Sequence, residues 1–449
     1  MSQKKDVSNE LVKAFKQAKF DLISKKLLVD KKDKHTYPVM PPFETPNHYK
    51  WLYLSDASVI QEGPGLRKHQ YTESGVQFLT VTNILEGSID FTKSQKYIDK
   101  QEYEKKYKHF TINKGDIVTA CSGATWGKSA IFDDDYLMIL NTSTLRLRFF
   151  KDLGENKYLY YLTKSNFFKT NLSSHSTGQQ PNYGYSHYSK IPIPIPPLSE
   201  QKQIVETLDK AFEKIDKAIA NIERNIENAE EYLGNSIVEL FVKSNWKKYD
   251  WGDVCNFTRG PFGGSLKKSM FKESGYAVYE QKQAIHNDYK SLRYFIDEGK
   301  FKEMERFQVS TGDLLMSCSG VTLGRVSEVP EDAPNGIINQ ALLRLRTNKN
   351  MILNEFVKIW IESRVFQKLI FEYSGGAAQP NVPGVKILKK IKIPCPKIDE
   401  QKSFINKYKN ISSNISNYNK KQNNKLISLK ELKKSILEKA FKGELTSAA

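Results

Sequence analysis

Cysteine is scarce in this chain. The four residues, Cys121, Cys255, Cys318 and Cys395, lie far apart and none completes a Cys-x-x-Cys pair. Neither a zinc site nor a disulfide framework is therefore indicated. No apolar run approaches the roughly 20 residues that span a bilayer, and no signal-peptide core follows the first residues. These absences lead to the expectation of a soluble, cytoplasmic protein with no membrane partner. Catalytic motifs are missing as well. There is no Gly-x-Gly-x-x-Gly loop for a dinucleotide or methyl donor, and no Asn/Asp-Pro-Pro-aromatic tetrapeptide for amino-methyl transfer. His-Glu-x-x-His and Gly-x-Ser-x-Gly are absent, and no Asp…Glu-x-Lys cluster is convincing as a nuclease centre. A chain of this length without such motifs reads as a binder.

What the chain has in excess is positive charge. Lys and Arg number 69 against 51 Asp and Glu, a net charge of +18. A balance of this size favours a polyanionic partner without saying which one. Hydrophobic residues at 39% and aromatics at 12% suffice for packed cores and argue against disorder. A length of 449 residues predicts several structural units.

The sequence repeats itself at a period near 200. Phe110-Thr-Ile-Asn-Lys-Gly115-Asp116-Ile117-Val118 is answered by Phe307-Gln-Val-Ser-Thr-Gly312-Asp313-Leu314-Leu315. Ser122-Gly-Ala-Thr125-Trp-Gly-Lys128 is answered by Ser319-Gly-Val-Thr322-Leu-Gly-Arg325. Leu145-Arg-Leu-Arg148 returns as Leu343-Arg-Leu-Arg346, and Gln180-Pro-Asn182 as Gln379-Pro-Asn381. Ile193-Pro-Ile-Pro196 with Glu200-Gln-Lys202 returns as Ile393-Pro-Cys-Pro396 with Glu400-Gln-Lys402. The offset drifts only from 197 to 200 across these blocks. The chain is a tandem duplication.

Each copy opens with short β-prone runs between Gly, Asn and Ser turns, interspersed with helical stretches over 153–165 and 354–373. That texture predicts an α+β globular unit. After the Pro-rich block the pattern is helical for about 45 residues. Apolar residues recur at gaps of three and four, from Ile204 to Leu240 in the first copy and from Phe404 to Ala440 in the second. This is the spacing of a coiled-coil seam. Ser199 and Asp399 occupy the expected N-cap positions. Residues 199–243 carry a net charge of −4 and residues 399–442 a net charge of +7, so the two helices are expected to pair. The remaining +15 lies in the globular units and the N-terminal segment, which places the anion-binding surface off the stalk.

The sharpest motif is the Ser-Gly-Ala-Thr-Trp-Gly-Lys block. A phosphate-binding P-loop needs four residues between its first Gly and the Gly-Lys pair, whereas Gly123 and Gly127 enclose three. In the second copy, moreover, Arg325-Val326 replaces Lys-Ser. The block reads as strand 117–121 followed by a tight turn ending in a cation. Ser122, Thr125 and Lys128, with Ser319, Thr322 and Arg325, can offer hydroxyls and charge to a phosphate, or an Arg to a guanine edge. A plain turn would also explain the glycines, but not the cation. Gln179, Gln180 and Asn182, with Gln379 and Asn381, are either adenine readers or parts of ordinary Pro-Asn turns. Arg67, Lys68, Arg259, Lys267 and Lys268 are further cationic candidates in turn-like stretches, each of low individual weight because charge runs are usually solvated. His175 and His187 lack partners spaced for a metal or a triad.

Two such units, each followed by a long helix, the first opening with Pro197-Leu-Ser-Glu-Gln-Lys202 and the second with the degraded Pro396-Lys-Ile-Asp-Glu-Gln-Lys402, resemble the DNA-specificity subunits of type I restriction–modification systems. The resemblance rests on 191–206 and its weaker echo 391–405, and on the doubled Gly-Asp…Ser-Gly-x-Thr-x-Gly-Lys/Arg block. It extends to Pro42-Phe43-Glu44…Trp51…Leu54-Ser55-Asp56 and to Lys439-Ala-Phe-Lys-Gly-Glu-Leu445, covering about residues 41 to 445. It implies target recognition domains at 41–198 and 245–397, with spacer helices at 199–244 and 398–443 pairing as an antiparallel coiled coil. An N-terminal helical extension at 1–40 and a tail at 444–449 complete the division. Each domain would read one half of a bipartite double-stranded DNA site. Two methyltransferase subunits would dock on the stalk, joined by restriction or translocase subunits. The methylated base would be adenine, and the methyl donor and ATP would bind the partners, leaving this chain without a cofactor or catalytic residue. A helix in residues 1–40, with Leu11, Phe15, Leu22 and Ile23 at helical spacing, is expected to pack on the stalk in preference to forming a separate contact site. Two other readings stay open: a nucleic-acid-binding scaffold of a defence system without methyltransferase partners, and an enzyme whose site lacks any of the motifs above.

Overall fold

The computed structural model of the chain describes residues 3–25, 28, 38–150, 153–175, 181–243, 245–320, 322–373 and 381–445. The chain forms two compact units, residues 1–221 with 425–449 and residues 222–424. Each unit holds one recognition domain and a portion of each long helix.

In the first unit, β1 (Lys50–Tyr53) pairs antiparallel with β9 (Pro192–Ile195). The main sheet has the order β2 (Ser58–Glu62), β8 (Thr144–Phe149), β5 (Ile117–Ala120), β6 (Ser129–Ile131). A smaller sheet runs β4 (Tyr97–Ile98), β3 (Val76–Phe78), β7 (Met138–Ile139), with β3 and β7 parallel. Two helices, Asn156–Lys164 and Asn166–Ser174, cover the main sheet and bury Tyr158, Leu159, Leu162, Phe168 and Leu172. Ser165 breaks what would be one helix into two by accepting the Phe168 amide on its side chain at 3.2 Å.

The second unit repeats this plan. β10 (Lys248–Asp250) pairs with β19 (Lys392–Pro394). The main sheet runs β11 (Cys255–Arg259), β18 (Leu342–Thr347), β15 (Leu314–Ser317), β16 (Val326–Glu328). The mixed sheet has the order β13 (Phe295–Ile296), β12 (Tyr276–Tyr279), β17 (Gly336–Ile338), β14 (Gln308–Val309). Helices Asn354–Glu362 and Arg364–Tyr373 occupy the corresponding covering position, and Trp251, Trp360 and Phe366 fill the core.

The long helices span Leu198–Lys243 and Ile398–Phe441. They therefore begin one residue before Ser199 and Asp399, which sit inside the first turn and not at the caps. At the second helix the capping contact comes from Glu400, whose carboxylate accepts the Lys397 amide at 3.0 Å. The two helices pack antiparallel in each unit. In the first, Asp216 Oδ1 lies 2.7 Å from Lys433 Nζ, and that ammonium sits 4.6 Å from the Phe212 ring. In the second, Leu240 shares a groove with Phe404, and Leu233 shares another with Ile415. The second helix departs from its expected seam. Tyr418 and Leu432 are exposed while Gln422 is buried, because the apolar residues there drift off the facing stripe. A polar residue at such a position fixes register at a cost in stability.

Residues Gln3–Ser24 form a helix, and its Leu11, Val12 and Leu22 pack against a core built jointly from the first recognition domain and the long helices, Ile204 and Leu437 among them. Phe15 is fully buried, with its ring 6.3 Å from both Phe149 and Phe150. Lys19 lies 3.6 Å from Asp56.

Candidate nucleic-acid interface

The repeated blocks do two different jobs. The Gly-Asp and Leu-Arg-Leu-Arg blocks are scaffold. Asp116, buried at the start of β5, accepts the Asn113 amide at 2.8 Å and lies 3.1 Å from Arg146 and 3.4 Å from Arg148. Asp313 does the same with the Ser310 amide at 2.9 Å and Arg346 at 2.7 Å. Burial lowers the pKa of Arg146, and the Asp116 carboxylate opposes that shift. These arginines face inward charges and are committed to the sheet.

The Ser-Gly block forms the β5–β6 connection. The Trp126 amide donates to Gly123 O at 3.3 Å and the Lys128 amide to Thr125 O at 3.2 Å, after which Gly127 rejoins the ladder on Ala120 at 2.9 Å. The second copy repeats every step: Leu323 on Gly320, Arg325 on Thr322 and Gly324 on Ser317, at 3.1, 3.2 and 3.0 Å. Gly123 and Gly320 have φ of 71° and 78°, and a Cβ on either would meet no neighbouring atom. Glycine is there for backbone conformation alone, as a plain turn requires. The cations are not explained this way. Lys128 is half-buried and Arg325 exposed, and among the described residues neither has a hydrogen-bond or ion-pair partner for its side chain.

The Pro-Asn segment is brought onto this turn. Ser122 and Asn182 form a β-bridge, Gly123 N–H donates to Pro181 O at 3.1 Å, and Tyr183 N–H donates to Cys121 O at 2.8 Å. Ser319 and Asn381 bridge likewise, with Val382 N–H on Cys318 O at 2.9 Å. The Trp126 ring lies 4.8 Å from that of Tyr183, tilted by 53°. Asn182 and Asn381 are exposed. Gln179, Gln180 and Gln379 lie outside the described residues. His187 is structural: its Nδ1 accepts the Gly184 amide at 3.0 Å.

A third segment converges on the same edge. After β2 the backbone of Gly63 presses on the carbonyl of Asn141, leaving no room for a Cβ, and its amide donates to Thr144 O at 3.0 Å. Gly260 repeats the approach on Asn339, with its amide on Leu342 O at 3.0 Å. The chain then enters short helical turns, Lys68–Gln70 and Lys268–Met270. Arg67, Lys68, Lys267 and Lys268 are exposed there. Sequence reading noted these cations but missed that Leu66-Arg-Lys-His-Gln-Tyr-Thr-Glu-Ser-Gly75 and Leu266-Lys-Lys-Ser-Met-Phe-Lys-Glu-Ser-Gly275 are one more repeat block, at an offset of 200. It also missed Gln281, whose Nε2 donates to the Ser319 carbonyl and hydroxyl at 2.9 Å and the Ser317 hydroxyl at 3.0 Å. All four cysteines are buried; burial pushes the thiols of Cys255 and Cys318 up to about 12.

Each domain thus gathers exposed asparagine, hydroxyls and unpaired cations on one sheet edge, twice over. The sequence model of the type I restriction modification DNA specificity domain matches residues 46–228 and again 243–428. The chain belongs to that family. Over 430 residues it is 22% identical to the specificity subunit of the Escherichia coli type I restriction enzyme EcoBI, covering 89% of this chain and 87% of the relative. The StySPI specificity subunit of Salmonella potsdam is 25% identical over 424 residues, 88% of each chain. A solved structure from work on complex assembly and conformational transition of the type I R-M system superposes with a TM-score of 0.70 at 18% identity, covering 90% of this chain and 100% of that one. The HsdS subunit of Thermoanaerobacter tengcongensis shares the fold at a TM-score of 0.51 and 18% identity, covering 90% of this chain and 99% of that one. As a type I specificity subunit the protein is the non-catalytic component that recognises DNA sequence. Such subunits work with methyltransferase and restriction subunits. No described helix is long and apolar enough to cross a membrane.

Proposed function

We propose that the chain reads a bipartite double-stranded DNA target, each recognition domain facing one half-site across an unread spacer. The observation that carries this is the repetition of one constellation in both domains. In each, a Gly turn ending in an unpaired cation is bridged to an exposed asparagine and flanked by a dibasic loop. Ser122, Thr125, Lys128, Asn182, Arg67 and Lys68 serve the first half-site. Ser319, Thr322, Arg325, Asn381, Arg259, Lys267 and Lys268 serve the second. Gln179, Gln180 and Gln379 join them by their place in the sequence. Phosphate contacts set register while base contacts carry the specificity.

Two methyltransferase subunits dock on the paired helices, and restriction or translocase subunits join them. The methyl donor and ATP bind those partners, and the methylated base is adenine. The two-domain, two-subunit arrangement follows the logic of dimeric DNA readers. A genome-wide methylation map of cells with and without this gene, with its neighbours intact, tests the proposal. Loss of one two-part motif supports it; methylation unchanged at every site refutes it.

A further inference from the structure

We infer that Arg259 reads a guanine in the half-site faced by the second domain, an inference resting on the half-site reading above. Arg259 is the last residue of β11, opposite Leu343 on β18; its counterpart is Glu62, opposite Leu145 on β8. Where the two copies need a residue for the scaffold, they keep it. Asp116 and Asp313, Gln201 and Gln401, and Asn156 and Asn354 make the same bonds in both domains. At the end of β2 and β11 the charge is instead reversed. Glu62 is engaged within its own domain, accepting the Tyr185 amide at 2.8 Å. Arg259 makes no side-chain hydrogen bond or ion pair among the described residues, and its Nε is buried without a partner. The free donors are left on the outer end of the guanidinium.

The surroundings hold that end in place. The guanidinium carbon lies 5.6 Å from the centre of the Phe262 ring, within cation–π range, and Phe262 is 64% exposed. Phe262 belongs to a local insertion: one residue, Gly65, separates Pro64 from Leu66, whereas four separate Pro261 from Leu266. The nearby Ser317–Ser319 segment is braced by Gln281, a brace that Val81, its counterpart at the offset of 200, cannot supply. A planar fork held on a ring, with its inner nitrogen buried, presents two parallel N–H groups. Guanine is the base whose major-groove edge offers two adjacent acceptors, O6 and N7. A phosphate also takes a guanidinium fork through two oxygens, and the comparison with 7-deazaguanine separates the two ligands.

The test uses the full chain with its methyltransferase partners. Methylation is mapped in cells carrying wild type, Arg259→Ala or Arg259→Lys. Duplexes bearing the wild-type motif are then compared with duplexes in which single guanines are replaced by 7-deazaguanine, which lacks the N7 acceptor. The expected result is that one guanine of one half-site becomes degenerate in both variants while the other half is unchanged. Wild-type affinity falls about 10- to 100-fold at that 7-deazaguanine, and Arg259→Ala loses nothing further there. The wild-type measurement needs no variant to fold. A half-site with no sensitive guanine, uniform weakening on every sequence with rescue by Arg259→Lys, or relaxation in both halves overturns the assignment. A wild-type complex that methylates no two-part motif overturns the half-site reading itself, and Arg259 falls with it.

Discussion

Gln201, fully buried in the first turns of the first long helix, accepts the backbone amide of Glu155 through Oε1 at 2.8 Å. Its Nε2 donates to Pro196 O at 2.9 Å, so one side chain satisfies two backbone groups at the junction of stalk and domain. Gln401 repeats the pair on Leu353 and Pro396. Gln201→Leu leaves both partners buried and unmet, and should lower the stability of its unit by about 1–3 kcal/mol. Chemical denaturation of the purified chain would show the drop; an unshifted midpoint would count against a capping role. Gln401→Leu should have the same effect on the second unit.

A larger loss is expected at Asp116. Its side chain is 2% exposed and Arg146 is 15% exposed, so Asp116→Ala strands a buried guanidinium at a cost of about 3–5 kcal/mol. Joint replacement by Asp116→Leu and Arg146→Met should recover much of that loss. If the double variant is as unstable as the single one, the charge pair is not what holds the sheet.

How much of this could be read in advance depends on the kind of residue. The two-domain plan, the long helices and the β5–β6 turn were legible, because glycine, proline and heptad spacing are local signals. The pairing of Ser122 with Asn182 was not, since 60 residues separate them and only the sheet brings them together. Asp116 stood in a repeated block without an assigned role, and it is scaffold. Repetition marks what both copies need, and a buried ion pair is needed as much as a contact surface. The N-terminal helix was visible as a helix, but its seat on Phe149 and Phe150 depends on where β8 ends. Arg259 was one cation among many until its unpartnered Nε and the Phe262 ring set it apart.

Lys128 and Arg325 are expected to act on phosphates. Replacing either with Ala should weaken DNA binding to a similar extent for all sequences and lower the salt slope by about one. Titrations at several salt concentrations on cognate and unrelated duplexes provide the check. A target-specific loss would make the residue a base reader, and unchanged binding in both variants would remove the turn from the interface.

The thiols should be inert in the folded protein. Burial pushes Cys255 and Cys318 up to about 12, so both stay protonated at pH 8, where an unfolded thiol begins to ionise. An aromatic disulfide reagent should find no reactive thiol before denaturant is added and four afterwards. Because the folded pKa lies above the unfolded one, these two groups should reduce stability as pH rises from about 8.5. Rapid native-state labelling would show that the cysteines are not shielded.

Exchanging residues 41–198 for the same region of another specificity subunit should change one half of the methylated motif and leave the other intact. Sequencing the methylated sites of the hybrid strain settles the outcome. A change in both halves would mean that the domains do not read independently.

The backbone bridge from Ser122 to Asn182 also bears on how such a protein can diversify. Because the turn and the Pro-Asn segment are bonded to each other, neither can drift far without distorting its neighbour. A lineage acquiring a new target would then move fastest by exchanging the whole span between β5 and β9 through recombination, with crossover points in the scaffold strands. Point mutation would be confined to side chains, such as that at 259, that leave the bridge untouched.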